Sequence, residues 1–166
     1  IFIFYSCNTD QHKLEGIIEE YQNHEGYDND EYPLGNFSED YFKNEKEFAE
    51  NLLSKMSKID ANKLDENDNI SYELLSFELL DIIAYYDFER FLNPLLSDSG
   101  FHSSLVYHVR PVYNYEQIKN YLNKLNSIPQ YVDQYLPLLW KGIKQGVSQP
   151  LIIFNGYEST YNDHIT

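Results

Sequence analysis

Histidines, acidic residues and one cysteine are the side chains here that could do chemistry, so their spacing decides what chemistry is open. The five histidines are His12, His24, His102, His108 and His164. A zinc-protease helix needs H-E-x-x-H, which puts two imidazoles on one helix face with a glutamate between them as base. His24-Glu25 has the first two residues, but Asp28 stands in place of the second histidine and Gly26 interrupts the would-be helix. His102 and His108 share one face if the segment between them is a strand. With a distant carboxylate they could ligate a metal, although lone histidines in turn-rich segments more often serve as hydrogen-bonded structure. Asp65-Glu-Asn-Asp-Asn69 imitates the start of a calcium loop. Ile70 replaces the glycine that loop requires, Ser76 replaces its bidentate glutamate, and the run therefore reads as a solvated helix connection. Ser97-Asp-Ser-Gly100 lies near His102, yet it lacks the G-x-S-x-G setting of a hydrolase nucleophile and reads as a turn.

The single cysteine, Cys7, follows the apolar run Ile1-Phe2-Ile3-Phe4-Tyr5-Ser6 and precedes polar Asn8-Thr9-Asp10. A small residue before a cysteine at the end of an oily run resembles the processing point of an export signal. Residues 1–7 are accordingly expected to be the tail of such a signal, with Cys7 acylated as a membrane anchor and residues 8–166 forming the exported helical part. The rival reading is a buried thiol in a short strand. One cysteine also excludes an intramolecular disulfide.

The elements that must position these residues are helical. Residues 10–23 carry Leu14, Ile17, Ile18 and Tyr21 at helical spacing behind Thr9 or Asp10 as cap. Residues 24–37 are acidic and turn-rich. Ser38 is expected to cap a long helix burying Tyr41, Phe42, Phe48, Ala49, Leu52, Leu53, Met56 and Ile59, and residues 60–69 read as a polar turn. The next helix, about residues 70–91, is apolar on most sides, which places it at the centre of a bundle. Periodicity lapses over about residues 92–113, a long irregular connection broken by Pro94, Gly100 and Pro111. Asn114-Tyr-Glu-Gln117 resembles a capping box that opens a helix with Ile118, Tyr121, Leu122 and Leu125 on its inner face. Pro129 fits the first turn of a further helix, with Val132, Leu136, Leu139, Trp140 and Ile143 inward and Gly146 as its stop. Pro137 is expected to kink or divide that helix. Residues 151–154 read as a short strand or extended entry, and residues 158–166 as the start of one more helix. The fold class is thus all-α, a helical bundle with a long connection at about 92–113, read as a fragment of a larger helical protein.

Composition sets the outer bounds. A net charge of −15, from 27 acidic and 12 basic residues, repels a phosphate backbone and argues against nucleic acid as a partner. Hydrophobic content of 42% argues against disorder despite that charge. No apolar stretch reaches the ~20 residues a membrane span needs, so membrane attachment would rest on Cys7 and its lipid. Sixteen tyrosines suit amphipathic helix faces, and a carbohydrate-stacking surface has a similar composition.

One resemblance extends across the C-terminal half. Gly100-Phe-His102, Arg110-Pro-Val-Tyr-Asn-Tyr115, Tyr121-Leu-Asn-Lys-Leu125, Ile128-Pro-Gln-Tyr131, Trp140-Lys-Gly-Ile-Lys-Gln-Gly146, Gln149-Pro150 and Gly156-Tyr-Glu158 follow one another in a familiar order. Together they resemble the N-terminal part of the bacterial family known as domain of unknown function 885. The likeness is good over about residues 92–158, and looser upstream, where Leu34-Gly35 fits a Leu-Gly turn. Lys124 departs from the arginine usual in the Y-L-x-R-L helix, and Pro137 interrupts the helix that follows. The resemblance implies an exported, often lipidated, zinc-dependent peptidase-like protein of the bacterial cell envelope, with a peptide as substrate. Its zinc ligands and catalytic glutamate lie in a C-terminal portion, so no catalytic or metal residue falls on this chain. The chain alone is expected to be inactive, and His102, His108 and Arg110 are the candidates for contacts in a substrate cleft. Arg110 could pair a peptide carboxylate, though a structural salt bridge explains it as well. The alternative is an envelope lipoprotein module that captures glycan or peptide without catalysis.

Overall fold

A computed structural model describes residues 9–24, 26–95, 100 and 110–156. Among the described residues the chain is all-α, with no named strand and one isolated antiparallel bridge between Leu95 and Gly100. Five α-helices are described: α1 (Asp10–Gln22), α2 (Glu39–Met56), α3 (Glu66–Asp87), α4 (Tyr115–Asn126) and α5 (Ile128–Lys144). The chain divides into two compact units, residues 1–26 with 40–88 and residues 27–39 with 89–166. Cys7, His102, His108, His164 and the expected last helix lie outside the described residues.

The first unit is built on α1, α2 and α3. Thr9 caps α1, its hydroxyl accepting from the His12 amide at 3.3 Å. Leu14 and Ile17 of α1, Ala49, Leu52 and Met56 of α2, Ile59, and Leu75 and Leu79 of α3 close one apolar core. Phe48, Leu53, Ile18 and Tyr21 pack at its edge, so most of the faces expected from α1 and α2 point inward. Each leucine, isoleucine or methionine taken out of water there contributes roughly 1.5–3 kcal/mol. Lys55 of α2 is 2.6 Å from Glu20 of α1, but both groups are about two-fifths exposed and such a pair contributes at most about 1 kcal/mol.

Two expectations about this unit need correction. The polar run 60–69 is more than a turn: a 3₁₀ turn covers Ala61–Lys63 and α3 already starts at Glu66. Asp65 caps α3 through the Asp68 amide at 2.9 Å, and acidic Glu66 suits the positive end of the helix dipole. Nor is α3 central. Leu75 and Leu79 face the core, whereas Ile70, Leu74, Phe77 and Leu80 are exposed. The helix is apolar on two opposite sides, and this unit supplies partners for only one of them.

In the second unit α4 and α5 follow the loop 27–38 and a 3₁₀ turn at Arg90–Leu92. The expected box at the start of α4 is present with its return bond shifted by one residue, from the cap to Tyr113. Asn114 Oδ1 accepts from the Gln117 amide at 2.9 Å, and Gln117 Oε1 accepts in return from the Tyr113 amide at 2.8 Å. Its expected inner face is not covered, because Ile118, Leu122 and Leu125 are each more than two-fifths exposed.

Helix α5 takes Pro129 in its first turn and continues undivided through Pro137, which lies on the exposed side. Its buried face differs from the expected one. Tyr131, Tyr135, Leu138 and Gly142 point inward, while Leu136, Trp140 and Ile143 are exposed. The reason is non-local: Leu34 and Phe37 of the loop pack on Tyr131 and Tyr135, with Phe37 edge-on to Tyr131 at 5.5 Å and stacked on Tyr135 at 5.1 Å. Gln134 holds that loop by its backbone, accepting from the Phe37 amide at 2.7 Å and donating to the Gly35 carbonyl at 3.1 Å. Gly142 is needed where the Arg90–Leu92 turn meets the helix, since a Cβ there would lie 2.7 Å from the Leu92 carbonyl oxygen. Gly146, at φ +80°, then ends α5. Its amide donates to the Ile143 carbonyl at 3.1 Å and the Val147 amide to the Gly142 carbonyl at 2.8 Å, which together form a Schellman stop. Residues Leu151–Phe154 form a 3₁₀ helix in place of the expected strand.

Candidate functional site

Of the three residues picked from sequence for a substrate cleft, Arg110 alone is described; it is exposed on the approach to α4. His24 is where folding adds what spacing could not show. Its ring stacks on Phe48 of α2 at 3.7 Å with the planes 8° apart, and its Nε2 lies 2.7 Å from Glu45 Oε1. The residues are 21 apart in the chain, so His24 finds this partner one helix on. His12 pairs locally with Glu15 at 3.3 Å on an exposed turn of α1.

Glu45 also lines a small cleft between the first turns of α2 and the last turns of α3. Its other walls are Tyr41, Phe42, Asp81, Ile82 and Tyr85, around a volume of about 240 Å³. Phe42 meets Tyr41 at 5.7 Å and Tyr85 at 5.2 Å, each pair tilted out of parallel. Negative charge is felt nearby: the Tyr21 hydroxyl is pushed above its ordinary range by burial, and further by Glu78 and Glu45. Next to Glu45 on α2, Lys46 reaches Asp87 at 2.5 Å and sits over the Tyr86 ring at 5.6 Å. Its amine is pushed up chiefly by the hydrogen bond to Asp87, against the opposing effect of desolvation.

In the second unit Lys141 joins Glu39 at 2.7 Å and Glu89 at 3.1 Å and lies over the Phe91 ring at 5.6 Å. The Glu39 hydrogen bond, aided by that to Glu89, raises its amine while desolvation opposes. A wider, polar cleft of about 550 Å³ runs beside α4 past Asp30, Tyr115, Lys119, Asn120 and Asn123. The calcium-like run serves α3 as its cap: Asp65 Oδ1 is committed to the Asp68 amide.

Among the described residues no three or more His, Cys, Asp or Glu side chains are grouped so as to hold a metal ion. Also among the described residues, no helix is long and apolar enough to cross a membrane.

An all-α chain with capped, loop-stapled helices and a Gly142-to-Gly146 helix stop is the class of protein this fold defines. The model of the family described as "Bacterial protein of unknown function (DUF885)" matches residues 20–166, and the chain belongs to that family. The match extends upstream of the residues 92–158 that carry the resemblance most clearly, taking in the last turn of α1, all of α2 and all of α3. No curated protein and no solved structure matches the chain.

Proposed function

We propose that this chain is a helical scaffold within a zinc-dependent, peptidase-like protein that is exported and held at a membrane through a lipid on Cys7. Membership of the DUF885 family supports the reading. The observation that carries the scaffold role is the apolar surface left on α3, α4 and α5. Leu74 and Phe77, Leu122 and Leu125, and Trp140 and Ile143 all lie on sides turned away from their own units' cores. Faces of that kind are what a scaffold presents to further packed elements. In such a protein zinc would polarise a peptide carbonyl and activate water. The H-E-x-x-H it requires is not in this sequence, so these residues build and wall the site. We assign His102, His108 and Arg110 to the cleft side because their stretch of sequence lacks helical periodicity, and connecting segments often carry contacts.

Peptide hydrolysis by the longer protein is the test. Turnover should stop with a chelator, return with zinc, and be abolished when the motif glutamate is changed to glutamine. Hydrolysis indifferent to all three refutes the reading. For the anchor, a radiolabelled lipid precursor should label the wild type and not Cys7→Ala; equal labelling removes it. A second reading, a glycan-binding module, is favoured by the exposed Tyr113, Tyr115 and Trp140. Oligosaccharide binding lost on their substitution by alanine would support it.

A further inference from the structure

The cleft between α2 and α3 has a composition that the scaffold role leaves unused. Three aromatic rings and two carboxylates surround about 240 Å³, below the ~300 Å³ at which clefts begin to take drug-sized ligands. The space therefore suits a single head group or one side chain. Ring faces carry negative electrostatic potential, and a cation within about 6 Å of a ring centroid is attracted to it. Glu45 and Asp81 add formal negative charge on opposite helices. An anion would be repelled by both, whereas a neutral group would gain nothing from their charge.

We propose that this cleft binds an alkylammonium group, with Tyr41, Phe42 and Tyr85 as its aromatic walls and Glu45 and Asp81 as its counter-charges. His24 is a positioning residue: stacked on Phe48, it holds the Glu45 carboxylate at the cleft wall through the 2.7 Å contact. The same helix pair already holds one such cation, since the Lys46 amine sits over Tyr86 beside Asp87. Lys46 does not cancel the charge of the cleft, because Asp87 at 2.5 Å and Glu50 at 3.6 Å offset its own. Two sources share this chemistry, a quaternary ammonium head group and the side chain of lysine.

The test titrates the 166-residue chain with choline, with Nα-acetyl-lysine amide, and with 3,3-dimethylbutan-1-ol, the neutral isostere of choline, followed by ligand-observed NMR. Saturable binding is expected for at least one cation, with the neutral isostere weaker by about tenfold or more. Tighter binding of choline identifies the head group as the source, and tighter binding of the lysine amide identifies a protein side chain. Tyr85→Leu and Asp81→Asn should each weaken the cation about fivefold or more, with circular dichroism unchanged. Should Tyr85→Leu fail to fold, Asp81→Asn carries the test, because it alters one exposed carboxylate at constant size. Equal binding of choline and its isostere, no saturable cation binding, or full affinity in Asp81→Asn would overturn the proposal.

Discussion

Two helical glycines in this chain should respond to alanine in opposite directions. Gly16 lies inside α1 on its exposed side, and an added Cβ would meet nothing within 4 Å. Alanine is preferred to glycine in a helix interior by about 1 kcal/mol, so Gly16→Ala should stabilise its unit by that amount. Gly142 lies inside α5, where the same gain is available, but its Cβ would stand 2.7 Å from the Leu92 carbonyl oxygen and 3.4 Å from Leu92 Cβ. The obstacle is mainly backbone, so relief means moving the Arg90–Leu92 turn off the helix. Overpacking of this kind costs ~1–3 kcal/mol, which outweighs the propensity gain and leaves a net loss of about 1 kcal/mol. For a chain of this size each kcal/mol moves the melting temperature by roughly 2–4 °C. Circular dichroism follows both variants, and the fluorescence of Trp140, the one tryptophan, reports on the second unit. A Gly142→Ala protein as stable as wild type would refute the close approach of turn and helix.

Three further outcomes are expected. Leu79→Ala, at a side chain with 0% exposure, should cost about 2–5 kcal/mol, whereas Leu74→Ala on the same helix, at 61%, should stay within about 0.5 kcal/mol in the isolated chain. Chemical denaturation measures both, and equal losses would mean that α3 faces the core with a different side. Asn114→Ala removes the cap of α4 and should destabilise its first turn by about 1 kcal/mol, read as faster hydrogen exchange at the Gln117 amide; unchanged exchange would count against the cap. Burial raises the Asp68 carboxyl, helped by Asp65 and Glu15, and its Oδ2 is buried without a hydrogen-bond partner. A raised folded-state value means the folded protein holds this proton more tightly than the unfolded chain, so ionised Asp68 opposes folding at neutral pH. Asp68→Asn should therefore raise the melting temperature at pH 7. That advantage should shrink as pH falls through the raised value and vanish below the ordinary carboxylate range, and a pH-independent difference would contradict it.

Where sequence reading succeeded and failed follows from how far apart the deciding residues lie. The Asn114–Gln117 box, Pro129 in a first turn and Gly146 as a stop are settled by groups a few residues apart, and all three are in place. The start of α3 was equally local, yet the polarity of residues 60–69 masks Asp65 as a cap, although acidic residues directly after it are the signal. The buried side of α5 was not legible by amphipathicity, because Leu136, Trp140 and Ile143 are as apolar as the residues that are buried. The only hint was Gly142, whose lack of a side chain marks close approach.

The aromatic cleft shows the same division. Tyr41, Phe42 and Glu45 read as one face of a helix, and Asp81, Ile82 and Tyr85 as part of another, with nothing to indicate that they line a common space. His24 read as half of a failed metal motif, and its partner is 21 residues away. By itself the sequence determined the helical class, the caps of α1 and α4, the stop of α5, and the family, because helix signals are exchanged within about one turn of chain. Only the tertiary structure decided which apolar sides are covered and which carboxylates meet which rings. Burial and pairing depend on residues that chain folding, not spacing, brings together.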